Sequence, residues 1–379
     1  MKQYDLAIVG AGIMGLAHAW HAARAGLSVV VFDRNPQACG ASVRNFGMLA
    51  VVAQRPGPQL RDARRALACW QEVAAGAGIA MRQAGCLFLA RVPEEMSVLS
   101  ECAAVAKSVG HTFETVAKDK LNQYLGGSPT DHLLGGLWSP DAWKVDQRQA
   151  MVKMADWLRR DHGVTFHYSA QVNAVSKGVI ETASGRVGAG HIILSAGDEF
   201  ATLFPDAFRS TGVTRCRLQM MRTHPQPHGY RLVPFVLGGL SMTRYSVFDG
   251  CPSLGALQDY QTKNQARHLA QGIHVIACQE DDGSITIGDS HHYGSAPELT
   301  GADEIDQLIL DDLAGLIALP KPKIADHWLG HYAHLPGVEV LVLTPGEGVT
   351  AVTMTNGQGM THAFAVAENV IEELLGRAS

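Results

Sequence analysis

Tyr4-Asp-Leu-Ala-Ile-Val-Gly-Ala-Gly-Ile-Met-Gly15 opens the chain as a short apolar strand that breaks into a glycine-rich turn. The alanine-rich stretch Leu16 to Ala25 reads as a helix stopping at Gly26, and a second apolar strand, Ser28 to Phe32, ends on Asp33. Gly10, Gly12 and Gly15 therefore form a GxGxxG between strand and helix, with an acid closing the next strand. Gly10 permits the tight turn, Gly12 lets a pyrophosphate approach the backbone, and Gly15 lets helix and strand pack closely while the helix N-terminus faces the phosphate charge. Asp33 is placed to accept hydrogen bonds from a ribose diol, and its charge would repel a 2′-phosphate. A lone GxGxxG is a weak signal. In this complete strand–turn–helix–strand–acid frame it predicts a dinucleotide-binding α/β unit, for NAD or FAD.

Two distant segments favour the flavin. Gly40-Ala-Ser-Val-Arg-Asn-Phe-Gly-Met48 is a glycine-bounded loop carrying hydroxyl, guanidinium and amide groups, and His191-Ile-Ile-Leu-Ser-Ala-Gly197 is a strand ending in Ala-Gly. Thr350-Ala-Val-Thr-Met-Thr-Asn-Gly-Gln-Gly-Met-Thr361 is a strand and glycine turn leading into a helix with Ala363, Val366, Ala367, Val370, Ile371 and Leu374 on one stripe. A nicotinamide enzyme has no use for a second helix N-terminus of this kind. A flavin does, because the positive end of a helix near its N1–C2=O edge stabilises the anionic reduced ring. An ordinary glycine-capped turn is the alternative.

The remaining composition narrows the class. The 379 residues suit two joined domains, and 46% hydrophobic against 18% charged is ordinary for a packed protein. A formal charge of −5 offers nucleic acid nothing to dock on. The seven cysteines, Cys39, Cys69, Cys86, Cys102, Cys216, Cys251 and Cys278, include no CxxC pair, so neither a zinc ribbon nor a redox dithiol is expected. With no leader-like start and no apolar run of ~18 residues, the expectation is a cytoplasmic protein without a membrane span.

The chain resembles the FAD-dependent amine oxidases grouped with D-amino-acid oxidase, glycine oxidase and sarcosine oxidase, over almost its whole length. The residues carrying this are Gly10 to Gly15, Asp33, Gly40 to Gly47, Ser195-Ala-Gly197, Trp328-Leu-Gly330 and Asn356-Gly-Gln-Gly-Met-Thr361. The resemblance implies a Rossmann-type α/β FAD-binding domain interleaved with an antiparallel-sheet substrate domain that roofs the flavin. Residues 1–83, 144–212 and 333–379 would form the first, and 84–143 and 213–332 the second. It places FAD contacts at Gly10, Gly12, Ile13, Met14 and Gly15, and at Asp33 and Arg34. The second loop would add Ser42, Arg44, Asn45, Gly47 and Met48. Val172, Ala196, Gly197, Trp328 and Gly330 follow, and Asn356, Gly357, Gln358, Gly359, Met360 and Thr361 complete the set. In monomeric sarcosine oxidases a cysteine before the last FAD segment links to the flavin. The matching stretch here, Trp328 to Ala333, has none, so non-covalent FAD is expected.

Coarse element reading supports the interleaving. Helices are expected over Gln59 to Ala77, Glu94 to Val109, Asp146 to Arg160 (capped by Asp146) and Asp303 to Leu319. Residues 211–290 read as strand-rich, with strands at Val213 to Thr223, Leu240 to Phe248, Ile273 to Gln279 and Ser284 to Ser290. The polar groups of that section are the substrate candidates: Arg244 and Tyr245, read as lying mid-strand, His291, Tyr332, and Lys144 at the return to the flavin domain. An arginine in an apolar strand is costly unless paired, and a structural ion pair or an anionic ligand would each serve. His291 and Tyr332 are the catalytic candidates, His291 for tuning the amine's protonation, although a purely structural histidine reads equally well. Adjacent His291 and His292 point to opposite faces of a strand with no third ligand in view, so no metal is expected.

The function expected is oxidation of the C–N bond of a small anionic amine by hydride transfer to flavin N5, with dioxygen or another acceptor removing the electrons. The Gly40 to Gly47, Arg244-Tyr245, Ile287 to His291 and Trp328 to Tyr332 segments resemble a subgroup associated with aminophosphonate breakdown. That implies 2-aminoethylphosphonate or its N-methyl derivative as substrate and phosphonoacetaldehyde as product. The alternatives are a glycine, sarcosine or D-amino-acid oxidase, then an NAD-dependent dehydrogenase or an accessory flavin subunit.

Overall fold

The computed structural model describes residues 2–296 and 300–377. Its first sheet is built on the opening motif. Five strands run parallel in the order Thr165–His167, Val29–Phe32, Gln3–Val9, Gly185–Leu194 and Val349–Met354. Val172–Ser176 and Val179–Thr182 add an antiparallel meander to Gly185–Leu194, and Val340–Gly346 adds an antiparallel edge to Val349–Met354. Val29–Phe32 is apolar throughout because both faces are covered. Val29 and Val31 face a core shared with helices Ile13–Arg24, Pro58–Ala77, Gln147–Asp161 and Gly359–Leu374, whereas Val30 and Phe32 face Ile192, Leu194 and Phe208. The Gln147–Asp161 helix starts as its sequence suggests, with the Asp146 carboxylate accepting from the Arg148 N–H at 3.0 Å.

The second sheet has nine strands. Its path runs His292–Gly294, Thr214–Thr223, Ile285–Gly288, Ile276–Gln279, Phe235–Leu237, Cys86–Ala90, Gly135–Ser139 and Glu114–Ala117, and Ile324–His334 pairs along the whole of Thr214–Thr223. The expectation of an antiparallel sheet needs one correction, since Phe235–Leu237 lies parallel to Cys86–Ala90. A parallel pair needs a long crossover, and the chain supplies one by returning through the first sheet between these strands. A small sheet of Met48–Leu49, Trp143–Val145 and Met81–Gln83 joins the two layers.

The strand expected at Leu240 to Phe248 is absent. Gly239–Met242 is a helical turn and Ser246–Phe248 a 3-10 turn, so Arg244 and Tyr245 sit on an irregular bend and not mid-strand. The sequence misleads because Gly239, Leu240, Ser241 and Met242 are all buried, which removes the alternation that distinguishes a half-buried strand. Helices Leu254–Asn264 and Ala266–Ala270 also interrupt the section read as strand-rich. The longer of them buries only Leu257 and Gln261, too thin a stripe to announce itself. The buried Gln261 side chain is satisfied by donating to the Gly239 carbonyl at 2.9 Å and accepting from Thr243 Oγ1 at 2.8 Å, which pins the bend that carries Arg244.

Candidate functional site

The carboxyl ends of the parallel strands converge on one cavity of about 860 Å3, at the upper part of the ~300–1,000 Å3 range of ligand pockets. The GxGxxG turn forms one wall. A Cβ on Gly15 would lie 1.8 Å from the Gly10 carbonyl oxygen, so this glycine is needed for close packing and does not line the cavity. Gly10 has φ +108°, and a Cβ there would fall 2.3 Å from the Ser195 carbonyl oxygen, bringing Ser195, Ala196 and Gly197 against the turn. Asp33 accepts from the Ala11 N–H through Oδ2 at 2.8 Å and from the Asn35 N–H through Oδ1 at 2.9 Å, fixing its carboxylate at the cavity edge. Ser42 Oγ accepts from the Ile13 N–H at 3.0 Å, tying the second loop to the first helix.

Two helix N-termini reach the cavity. The Ile13–Arg24 and Gly359–Leu374 helices are both entered without a side-chain cap on their N-cap residues, Gly12 and Gln358, so first-turn N–H groups other than that of Ile13, which Ser42 holds, remain for a ligand. The second is braced from behind. Gln54 donates to Gln358 Oε1 at 2.7 Å and to the Ala50 carbonyl at 2.7 Å, and Thr361 Oγ1 accepts from the Ala50 N–H at 2.9 Å. Gly357, at φ +76°, lies so close to Tyr332 that a Cβ would meet its ring at 3.1 Å.

The residues expected at the cofactor divide accordingly. Gly10, Gly12, Ile13, Met14, Asp33, Arg34, Ser42, Arg44, Asn45, Met48, Val172, Ala196, Gly197, Gly330, Asn356, Gly357, Gln358, Gly359, Met360 and Thr361 all line the cavity. Gly47 and Trp328 do not. Gly47, at φ +64°, turns toward the Val145 carbonyl, 2.1 Å from its would-be Cβ, and Trp328 lies two residues short of the cavity on its strand, its indole N–H directed at the Arg44 carbonyl at 3.5 Å.

The other end of the cavity belongs to the second sheet. Arg244, Tyr245, His291 and Tyr332, all nominated from sequence, line it together. Lys144 is a correction. It is 3% exposed, pairs with Glu280 at 2.8 Å and donates to the Phe46 carbonyl at 2.8 Å, so its charge is neutralised inside the protein. Arg244 is the opposite case. Its two terminal nitrogens donate to Tyr293 Oη at 3.3 Å, and among the described residues it forms no ion pair. Burial alone would lower its pKa, but Tyr332, Tyr293 and Asp289 outweigh this and hold it firmly protonated.

Sequence reasoning missed three neighbours. His274, Asp289 and Tyr293 also line this end, and His274 stacks on His291 at 5.0 Å with Tyr245 edge-on to His274 at 5.6 Å. The signal for Asp289 and Tyr293 was present in the polar run Asp289-Ser-His-His-Tyr293; His274 stands in an apolar stretch and carried none. Burial pushes the Asp289 carboxyl up to about 7 and drives His274 and His291 well down, with Arg244 adding to the histidine shifts. Burial likewise raises the Tyr245 and Tyr332 phenols, leaving both as neutral donors. His292 turns away to Gln271 Oε1 at 2.7 Å. The absence of a third ligand-type group beside His291 is thus corrected, since ligand atoms of His274, Asp289 and His291 lie within 4.8 Å of one another. Arg244 places a fixed positive charge on the same cluster, which opposes a cation there.

Among the described residues no helix is long and apolar enough to cross a membrane. Residues 5–373 match the family model described as FAD dependent oxidoreductase (DAO). No curated protein sequence gives a match. The fold is similar to L-proline dehydrogenase from P. horikoshii, with a TM-score of 0.79, 17% identity, and coverage of 100% of this chain and 95% of that one. It is similar to glycine oxidase from Geobacillus kaustophilus with a TM-score of 0.77, 18% identity, and 100% and 96% coverage. An L-amino acid deaminase from Proteus vulgaris, lacking its specific insertion, gives a TM-score of 0.73, 22% identity, and 99% and 91% coverage.

Proposed function

The chain belongs to the DAO family of FAD-dependent oxidoreductases, and from that premise we propose that it oxidises the C–N bond of a small amine bearing an anionic group. One observation carries the proposal: Arg244 brings a permanent positive charge to the cavity with no carboxylate ion-paired to it among the described residues. The Arg244 guanidinium is exposed to the cavity, so its permanent charge and fork of N–H donors are open to an anionic ligand. FAD fits the rest of the cavity. Gly10 and Gly15 leave no room for a Cβ, Asp33 would accept from the ribose, and the N–H groups left free in the first turns of two helices would face negative charge.

When bound, FAD supplies the hydride acceptor for the α-C–H of the amine. The chain's residues do the positioning. Arg244 and the neutral phenols of Tyr245 and Tyr332 grip the anion, the apolar walls exclude water, and the Gly359–Leu374 helix N-terminus faces developing negative charge. His291 is the candidate for tuning the amine's protonation. We assign the cofactor to residues 1–83, 144–212 and 333–379, and the substrate roof to 84–143 and 213–332. Among the described cysteines only Cys39 lines the cavity, beside Asp33 and Arg34 at the ribose end, which fits non-covalent FAD. Dioxygen or another carrier takes the electrons.

Within this class the favoured substrate is 2-aminoethylphosphonate or its N-methyl derivative, giving phosphonoacetaldehyde. A tetrahedral dianion uses several donors, and Arg244, Tyr245, Tyr332 and Tyr293 offer them at one end of the cavity. A carboxylate uses a subset of these, and the fold shared with glycine oxidase keeps glycine, sarcosine or a D-amino acid as the second reading. Anaerobic bleaching of the flavin with N-methyl-aminoethylphosphonate against N-methyl-β-alanine and sarcosine decides. Rapid reduction by a carboxylate and none by a phosphonate ends the phosphonate reading.

A further inference from the structure

An amine of this kind arrives as an ammonium, whose nitrogen has no lone pair to release when the α-C–H hydride leaves. The site therefore needs a proton acceptor distinct from the group that holds the anion. Asp289 stands where one is required. It is 5% exposed and lines the cavity beside Arg244. Its Oδ1 lies 3.3 Å from His274 Nε2 but out of line for a hydrogen bond, so this buried oxygen has no aligned donor. Its Oδ2 lies 3.9 Å from His291 Nε2. The His291 Nδ1 contacts the Gly272 carbonyl at 3.0 Å, and a carbonyl can only accept, so Nδ1 carries the ring proton and Nε2 is bare. Two acceptors thus face each other with no hydrogen between them, an arrangement that a donor entering from the cavity satisfies.

We propose that the Asp289 carboxylate, backed by His291 Nε2, receives the substrate's ammonium group and takes its proton before oxidation. The inference rests on the amine-oxidising reading above and assigns the acceptor that reading leaves open. One ammonium N–H bond breaks, its electron pair stays on nitrogen, and the proton bonds to Asp289 Oδ2, with the bare His291 Nε2 lying 3.9 Å away as a neighbouring acceptor. No electrons leave the substrate in this step. The surroundings favour such a base. Arg244 and Tyr245 on the bend, His274 ahead of its strand, Tyr293, and Tyr332 on the Ile324–His334 strand, with Cys216 behind, supply one permanent cation and otherwise neutral groups. Burial holds the carboxyl at about 7, near the value at which a base both exists and accepts at neutral pH.

The test follows anaerobic flavin reduction against pH, using whichever of 2-aminoethylphosphonate, its N-methyl form, sarcosine or N-methyl-β-alanine reduces the holoenzyme fastest. In the native protein the rate constant should fall as pH drops through about 7. Asp289→Asn should slow reduction ~10²-fold near neutrality, with recovery as pH rises toward the amine's own pKa. His291→Gln, which offers an amide donor to Oδ2, should move the acid limb down by about one pH unit. Independently of turnover, 13C NMR of aspartate-labelled holoenzyme should show one carboxyl titrating near neutrality. An unchanged pH profile in Asp289→Asn, an unmoved limb in His291→Gln, or no such carboxyl overturns the inference while leaving amine oxidation standing. If Asp289→Asn does not retain FAD, the His291→Gln profile and the native spectrum decide. If no amine bleaches the native flavin, the functional reading falls and this inference with it.

Discussion

Lys144 and Arg244 mark two regions where the same kind of residue does opposite work. At the junction of the small sheet with the roof, Lys144 meets Glu280 at 2.8 Å, and its ammonium also reaches the Phe46 and Val145 carbonyls and Gln147 Oε1. Every donor is satisfied, and the result is a clamp between the loop that carries Phe46 and the strand that ends in Cys278 and Gln279. At the far end of the cavity, Arg244 is exposed, donates to a tyrosine oxygen, and feels the Asp289 carboxyl without an ion pair among the described residues. The contrast teaches that a cation is read through its burial and its partners, Lys144 being enclosed and Arg244 open to the cavity. One with a carboxylate is architecture, and one without is waiting for an anion.

The comparison breaks most visibly at the clamp. Lys144→Met should strand the Glu280 charge and lower stability by ~3–5 kcal/mol, whereas Lys144→Met combined with Glu280→Leu should recover much of the loss. Urea unfolding of the single and double variants measures both, and a harmless single substitution would show that the pair carries no weight. Arg244→Met should do the reverse, leaving the unfolding midpoint nearly unchanged while kcat/KM falls by ~1.5–3 kcal/mol. Normal turnover in a folded, FAD-replete Arg244→Met protein would reduce this arginine to structure and remove the contrast.

At the other end of the cavity the effect is smaller. Asp33→Ala removes the ribose acceptor proposed above and two backbone hydrogen bonds, and FAD affinity should weaken by about 1–3 kcal/mol, read by flavin release on dilution. Unchanged retention would misplace the cofactor. Smallest of all is Cys39→Ser, for which flavin content and yield should stay as in the native protein. Acid denaturation of either should release all flavin into solution, and flavin remaining on the polypeptide would refute non-covalent binding.

Acid also tests the helix layer beneath the cofactor. His18, His21 and His362 are held down to about 4, chiefly by burial, so they are neutral in the folded protein. The unfolded chain binds the extra protons between its ordinary histidine value of ~6.5 and about 4, and stability should therefore fall as pH drops through that window. Asp289, raised to about 7, works against this slope between ~3.9 and 7, because there the folded state holds its proton and the unfolded state does not. The lowered histidines, His274 and His291 among them, outnumber the raised carboxyls Asp289 and Glu95 and leave the net trend toward lower stability in acid, which thermal unfolding between pH 7 and 4 checks.

How much of this was legible beforehand follows from distance along the chain. The turn at Gly10, Gly12 and Gly15, the acid at Asp33 and the helix after Gly357 declare themselves because each depends on backbone constraints set within a few residues. A Cβ has no room at Gly15, and only a glycine readily adopts φ +108° at Gly10. The sequence by itself therefore determined the parallel sheet behind the glycine turn, the two helix N-termini and most of the cavity wall between them. The bend at Gly239–Met242, the parallel step at Phe235–Leu237, the capture of Lys144 by Glu280 and the meeting of His274, Asp289 and His291 were decided only in the folded molecule. Each joins residues from separate elements, and whether a side chain is paired, buried or presented to the cavity depends on what arrives opposite it. Local spacing carries no record of that encounter, which is why Lys144 and Arg244 look alike in the sequence and part company in the structure.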